Sequence, residues 1–428
     1  MKINLKKEKE PNMIEIKKMS CGTRIVMEQI PYLNSVAIGI WVRAGAVDEN
    51  PKTAGISHFI EHMMFKGTET RSAKKLAEDV DNIGAQINAF TGKEATCYYI
   101  KSLASNAVAA TEILLDMFLN STFDKVELEK EKNVIYEEIK MIKDTPDEEV
   151  HDMICEMIFA DHPLGNSITG TRSSLKGMTR NTLLKYIKDE YTRDNIVIAI
   201  AGNFDQKELC SLFEERLMAL EAKKESKTIP VSIYKPKFSV KVKEIEQTHL
   251  CMGTRSMPLS DDRYYAFSCL NNIMGSSMSS RLFQTIREER GLAYTVFSMN
   301  SSFHDSGYFN IYAGIGHDKV DETMAAILEE LAVLKKDGVT AEELSKAKEQ
   351  LKSNYIFGLE NVNGRMFSIG KNAIILDKVL SPEEVLSKVD AVTAEDIEEV
   401  SKIISDPSTY SAAAISASKI PLKRMVQK

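Results

Sequence analysis

Three residues with chemistry to offer fall within five positions: His58, Glu61 and His62, in the run His58-Phe59-Ile60-Glu61-His62. The order H-x-x-E-H reverses the H-E-x-x-H of many zinc proteases. On a helix, residues four apart share a face, so two imidazoles one turn apart can bind a single Zn²⁺ at about 2.0–2.1 Å. Glu61, three residues after His58, projects toward the same side. It is placed to take a proton from a water that the metal acidifies, a division of labour that hydrolyses peptide bonds. The neighbours Phe59, Ile60, Met63, Met64 and Phe65 are apolar. The three polar side chains are therefore expected to be buried, and buried polar groups need partners that an ion can supply.

A catalytic zinc needs a third protein ligand and one open position. The segment 124–143 offers carboxylates at helical spacing. Glu131, Val134, Ile135, Glu138 and Ile142 fall on one face, which sets two glutamates in an apolar stripe. Glu138 is the expected ligand. Glu131, two turns earlier, is the expected carboxylate behind an imidazole, and its bland alternative is an exposed ion-pairing residue. Glu137 points away. A His₂Glu set suits Zn²⁺, although Mn²⁺ or Co²⁺ could substitute. His151, His162, His249, His304 and His317 have no partner at ligand spacing.

Several elements must position these residues. Strands are expected at Met13–Lys17, Arg24–Gln29 and Val36–Val42. A helix from Ser57 to Met64, capped by Ser57 or Thr53, carries the motif. A helix over Ala73–Ile83 ends at Gly84. Strands at Gln86–Phe90 and Ala95–Leu103 follow, then helices at 105–119 and 124–143, the second closed by Pro146. Asn195–Ala201 reads as a buried strand. The segment 222–236, a polar run followed by a short extended piece between Pro230 and Pro236, reads as a linker. Beyond it the order recurs: a strand (249–254), helices (261–274, 280–289), a strand pair (293–303, 307–314) and long helices (317–336, 341–357). The fold class is thus α+β, as two repeated units: residues 1–221 with the metal site, and 237–428.

Composition narrows the classes. The chain has 428 residues, 43% hydrophobic and 27% charged, a net charge of -7 and a pI near 5.7. That balance argues against nucleic acid as a partner. No apolar run is long enough for a membrane helix. The lysine-rich N-terminus lacks the apolar core of a secretory signal and the arginines of a mitochondrial presequence. The six cysteines are scattered without a C-x-x-C pair, the pattern of reduced cytoplasmic thiols.

The run Gly55 to Thr68 closely resembles the active-site signature of the pitrilysin and mitochondrial processing peptidase family, the inverzincins. Glu131 to Ile139 is similar to that family's second signature, E-x-x-V-I-x-x-E-I, at the family's spacing. The resemblance implies that His58, His62 and Glu138 bind one zinc per subunit, that Glu61 is the base and that Glu131 supports the site. It also implies two homologous units, each a mostly antiparallel sheet packed with helices. Gln86 to Thr91 is similar to the family's edge strand beside the zinc, so Asn88, Ala89 and Phe90 become substrate-binding candidates, able to pair with an extended peptide. Arg281 to Tyr294 resembles the family's arginine–tyrosine element, making Arg287 and Tyr294 candidates to hold substrate and stabilise an oxyanion.

The expected activity is zinc-dependent endopeptidase action on short or unfolded peptides, in the bacterial cytoplasm. The short members of the family pair into dimers, which implies that Arg287 and Tyr294 act across a homodimer interface. The competing readings are a non-catalytic structural or peptide-binding homologue and a zinc hydrolase with a non-peptide substrate.

Overall fold

Two sheets with matching strand order organise the chain. The computed structural model describes residues 14–222 and 233–427. Met13, the lysine-rich N-terminus and residues 223–232 of the expected linker lie outside the described residues. The first sheet contains β1 (Ile14–Lys18), β2 (Arg24–Gln29), β3 (Ser35–Val42), β4 (Gln86–Thr91), β5 (Thr96–Leu103) and β6 (Ile196–Gly202). Their order is β1-β2-β6-β3-β5-β4. The second contains β7 (Phe238–Val242), β8 (Thr248–Ser256), β9 (Ala293–Ser302), β10 (Gly307–Ile315) and β11 (Ser411–Ser416), in the order β7-β11-β8-β10-β9. Apart from β1, the two orders correspond strand for strand. β2 is parallel to β6 and β7 to β11, while the other neighbours are antiparallel.

The first unit's early helices are α1 (Ile56–Met64), α2 (Ala73–Asn82), α3 (Ala107–Asn120), α4 (Lys125–Asp144) and α5 (Pro146–Ile158). Pro146 does more than follow α4: it opens α5, where its missing N–H leaves no helix bond unmade. The stripe expected on α4 is also displaced. Val134 is 50% exposed, and the buried face runs through Leu128, Glu131, Ile135 and Ile139. The expected 261–274 helix is regular only over Tyr264–Asn271 and then widens into π turns, as does Phe283–Glu289.

Each sheet is covered on its outer face by a helix from the other half. α5 lies on β8 and β11, and the helix Val362–Leu376 lies on β6, β3 and β2. Val150, Ile154 and Ile158 of α5 share a core with Cys251, Tyr308 and Ile415. Met366, Ile369 and Ile374 share one with Val26, Trp41 and Ala199. With both faces covered, β6 is buried along its whole length, and its sequence is continuously apolar rather than alternating. Ion pairs clamp both helices with opposite polarity: Glu149 of α5 to Lys241 on β7 and to Lys243 just after it, and Arg365 to Glu28 on β2, the strand corresponding to β7.

Glycines permit the close approach. A Cβ on Gly370 would lie 2.1 Å from Trp41 Nε1, and one on Gly39 would lie 2.5 Å from Met366 Sδ. The methionine can move aside, but the buried indole cannot without displacing its strand. Gly370→Ala is therefore expected to destabilise the protein by about 1–3 kcal/mol from overpacking, beyond the roughly 1 kcal/mol that alanine gains as a helix former. Urea unfolding of Gly370→Ala and Gly39→Ala checks this, with the larger loss expected at Gly370.

Candidate metal centre

α1 begins differently from the expected cap. Its N-cap is Gly55, at φ +89°, where a Cβ would also press 2.6 Å from the Thr169 carbonyl oxygen. Neither Ser57 nor Thr53 caps it. The buried Glu49 carboxylate accepts from Gly55 N–H at 2.6 Å and Ser57 N–H at 2.9 Å, while the Ser57 hydroxyl bonds the Tyr186 hydroxyl at 3.0 Å. A carboxylate at the helix N-terminus suits the orphan N–H groups and the dipole. Burial nevertheless pushes the Glu49 carboxyl up to about 7.

One turn along, α1 delivers His58 and His62 against α4. His58 Nε2 lies 3.2 Å from His62 Nε2, and the Glu138 oxygens lie 3.6 Å from each of those nitrogens. Among the described residues, His58, His62 and Glu138 form the one group of three or more such side chains whose ligand atoms all converge, within 4.8 Å. Two ligands at about 2.05 Å on a tetrahedral metal stand roughly 3.3 Å apart, so the donor spacing fits a zinc-sized cation.

Protonation supports the same fit. Burial, with His62 beside it, depresses His58 to about 4, so the imidazole is neutral at pH 7. Glu131, 5% exposed, accepts from His62 Nδ1 at 2.9 Å and pairs with Lys66 at 2.6 Å. A proton on His62 Nδ1 leaves the Nε2 lone pair facing the other donors. Two imidazole nitrogens and a carboxylate thus point at one another, an arrangement that a cation relieves.

Glu61 stands beside this group without belonging to it. It and His62 are half-buried rather than fully enclosed. Burial raises the Glu61 carboxyl, while a hydrogen bond from the Thr91 hydroxyl, at 2.5 Å, opposes the shift. Thr91 ends β4, which is the edge strand of the first sheet and has one side unpaired. On this strand the Asn88 Oδ1 accepts from Ala89 N–H at 2.8 Å. Phe90, 38% exposed, packs against Trp41, Tyr99 and Phe367. The turn after β4 is braced by the other half: both Glu94 oxygens accept from His304 N–H at 3.0 Å.

Arg287 and Tyr294 make their contacts with one another and with their own neighbours. The Arg287 guanidinium sits over the Tyr294 ring at 5.0 Å and over Phe283 at 4.7 Å, and it pairs with Glu288. Tyr294 is 80% exposed. Among the described residues, none of these contacts joins them to the histidines, Glu61 or Glu138. The second unit's helix Tyr264–Asn271 corresponds in order to α1 but carries no histidine or glutamate.

Sequence reasoning missed Glu49, Thr91 and Glu94. Only Thr91 left a usable signal, a hydroxyl on the strand beside the motif helix. Thr91→Val is expected to lower by about tenfold the rate of any hydrolysis in which Glu61 is the base, the worth of one hydrogen bond to a charged group. Bound zinc should be unchanged, and Thr91→Ser should recover most of the rate. Steady-state kinetics with metal analysis checks this.

The insulinase (peptidase family M16) profile matches residues 24–172, and the profile described as the peptidase M16 inactive domain matches 177–351. A Bacillus subtilis protein named as an uncharacterized zinc protease, YmxG, is 45% identical over 89% of this chain and 93% of its own length. An uncharacterized zinc protease of Rickettsia bellii is 39% identical, covering 93% of this chain and 96% of its own. Two solved structures share the fold. A protease from Helicobacter pylori gives a TM-score of 0.85 at 20% identity, covering 95% of this chain and 99% of its own. A peptidase M16 inactive domain structure from Pseudomonas fluorescens gives 0.88 at 18% identity, covering 95% and 98%.

Proposed function

The chain belongs to the M16 peptidase family, and on that premise we propose that it is a zinc-dependent endopeptidase acting on short or unfolded peptides. The observation that carries the reading is the convergence of His58, His62 and Glu138 with Glu61 alongside. One zinc per subunit would be held by those three ligands. Bound there, it would supply a Lewis acid for the scissile carbonyl and make a water acidic enough to lose its proton near neutrality.

The chain's own residues do the rest. Glu61 takes the proton and returns it to the leaving amine. Thr91 fixes the Glu61 carboxylate, and Glu131 holds His62 in the tautomer that exposes Nε2. The free edge of β4 pairs with an extended substrate, Ala89 giving up its bond to Asn88 to do so, with Phe90 on the opposite face. Arg287 and Tyr294 anchor the substrate and donate to the developing oxyanion. Their contacts with one another, with Phe283 and with Glu288 rather than with the metal centre, and the exposure of Tyr294, support a homodimer in which a second copy supplies them. The two units divide at 222–236. No helix among the described residues is long and apolar enough to cross a membrane. All six cysteines are free and five are buried, which supports a reducing, cytoplasmic setting in bacteria.

A quenched-fluorescent peptide assay on the metal-loaded protein, before and after chelation, tests the activity. Cleavage that chelation abolishes and zinc restores supports it, whereas stoichiometric zinc without cleavage favours the non-catalytic homologue. Mixing His58→Ala with Tyr294→Phe subunits tests the composite site. Mixed dimers are expected to exceed both parents in activity, and no gain over either would place both halves of the site on one chain.

A further inference from the structure

A cavity of about 400 Å³ lies in the second unit, away from the metal centre. It is bounded by the helices Tyr264–Asn271, Ala341–Gly358, Val362–Leu376 and Pro382–Asp390. Its apolar lining comes from Leu351, Leu376, Val385 and Val389. Three lysines, Lys371, Lys378 and Lys388, also line it, and among the described residues none of them has an ion-pair partner. Lys388 lies 5.9 Å over the Tyr265 ring.

The acids beside them do not cancel this charge. Asp261 is held by the Arg263 guanidinium at 3.0 and 2.9 Å, which leaves Asp262 alone against three cations. Tyr264, Tyr265 and Tyr355 complete the wall. Burial raises all three phenols, so they stay neutral and can donate hydrogen bonds. An apolar pocket with a few convergent polar groups is the usual form of a small-molecule site.

We propose that this cavity binds an amphipathic anion, an acidic head on an apolar body of about ten carbons. The lysines meet the head at the mouth and the leucines and valines bury the body. Carboxylate and phosphate heads share this chemistry. The site is independent of the peptidase reading, since none of its residues belongs to the metal centre.

Calorimetric titration of the full-length protein with decanoate, decyl phosphate and neutral decanol tests it. At least one anion is expected to bind ten times more tightly than decanol, and the tighter one identifies the head group. The Lys371→Gln/Lys378→Gln/Lys388→Gln variant alters side chains at the pocket mouth and should keep the wild-type unfolding midpoint. Its affinity for the anion should fall at least tenfold. Ser268→Trp, which fills the cavity, should abolish binding of all three probes. Binding of neither anion, decanol binding as tight as the anions, or unchanged affinity in the lysine variant would overturn the assignment.

Discussion

Glu61→Gln is expected to cut kcat for peptide hydrolysis by about 10²–10⁴-fold while leaving zinc at one per chain. Glu61 is not among the converging donors, so metal binding does not depend on it. Glutamine has the same shape and keeps an oxygen for the Thr91 hydroxyl to reach. What it cannot do is accept a proton. Burial has already raised the Glu61 carboxyl, which moves it toward the basicity that a general base near neutral pH requires. The loss therefore belongs in kcat, with KM nearly unchanged. Kinetics and metal analysis on one preparation separate the two roles. A variant within tenfold of wild type would remove Glu61 as the base.

Removing a ligand has the opposite signature. Glu138→Ala is expected to lose zinc and, with it, all activity. Its carboxylate stands 3.6 Å from both Nε2 atoms, and without it only the two imidazoles of α1 remain. Zinc affinity should fall by more than the roughly 10–100-fold typical of a residue one contact further out, which is the loss expected for Glu131→Gln. Because Glu138 is half-exposed, and burial alone raises its carboxyl, folding should survive the change. Zinc titration against a competing chelator, with circular dichroism to verify the fold, makes the comparison. Full zinc occupancy in Glu138→Ala would move the third ligand elsewhere.

The motif helix, α4 and the strands of the first sheet were legible because each follows a local period, whereas the order of those strands within the sheet, and β7 and β11, were not. His58, Glu61, His62, Glu131 and Glu138 could be picked out by residue type and spacing alone. The errors arose where a side chain acts over distance. The α1 cap comes from Glu49, six and eight residues before the N–H groups it binds, a spacing that no capping pattern covers. Val134 shares a helical face with Glu131, Ile135, Glu138 and Ile142 by spacing, but that face is wider than the one α4 buries. The exchanged helices were invisible for a related reason. Amphipathicity says that a face is covered, not by which part of the chain.

That exchange has a consequence for how the protein is made. The first sheet is complete once β6 has left the ribosome, but its outer cover ends about 170 residues later, at Leu376. At about 5–20 residues per second, that face stays bare for roughly 10–35 s. During this interval Val26, Trp41 and Ala199 form an apolar surface with nothing of their own chain to bury it. α5 has the converse history, emerging long before β11 completes the sheet that it covers. Slower translation over this stretch is therefore expected to lower the yield of folded protein. A gene cut at the linker would yield two fragments, each lacking a wall that only the other can provide.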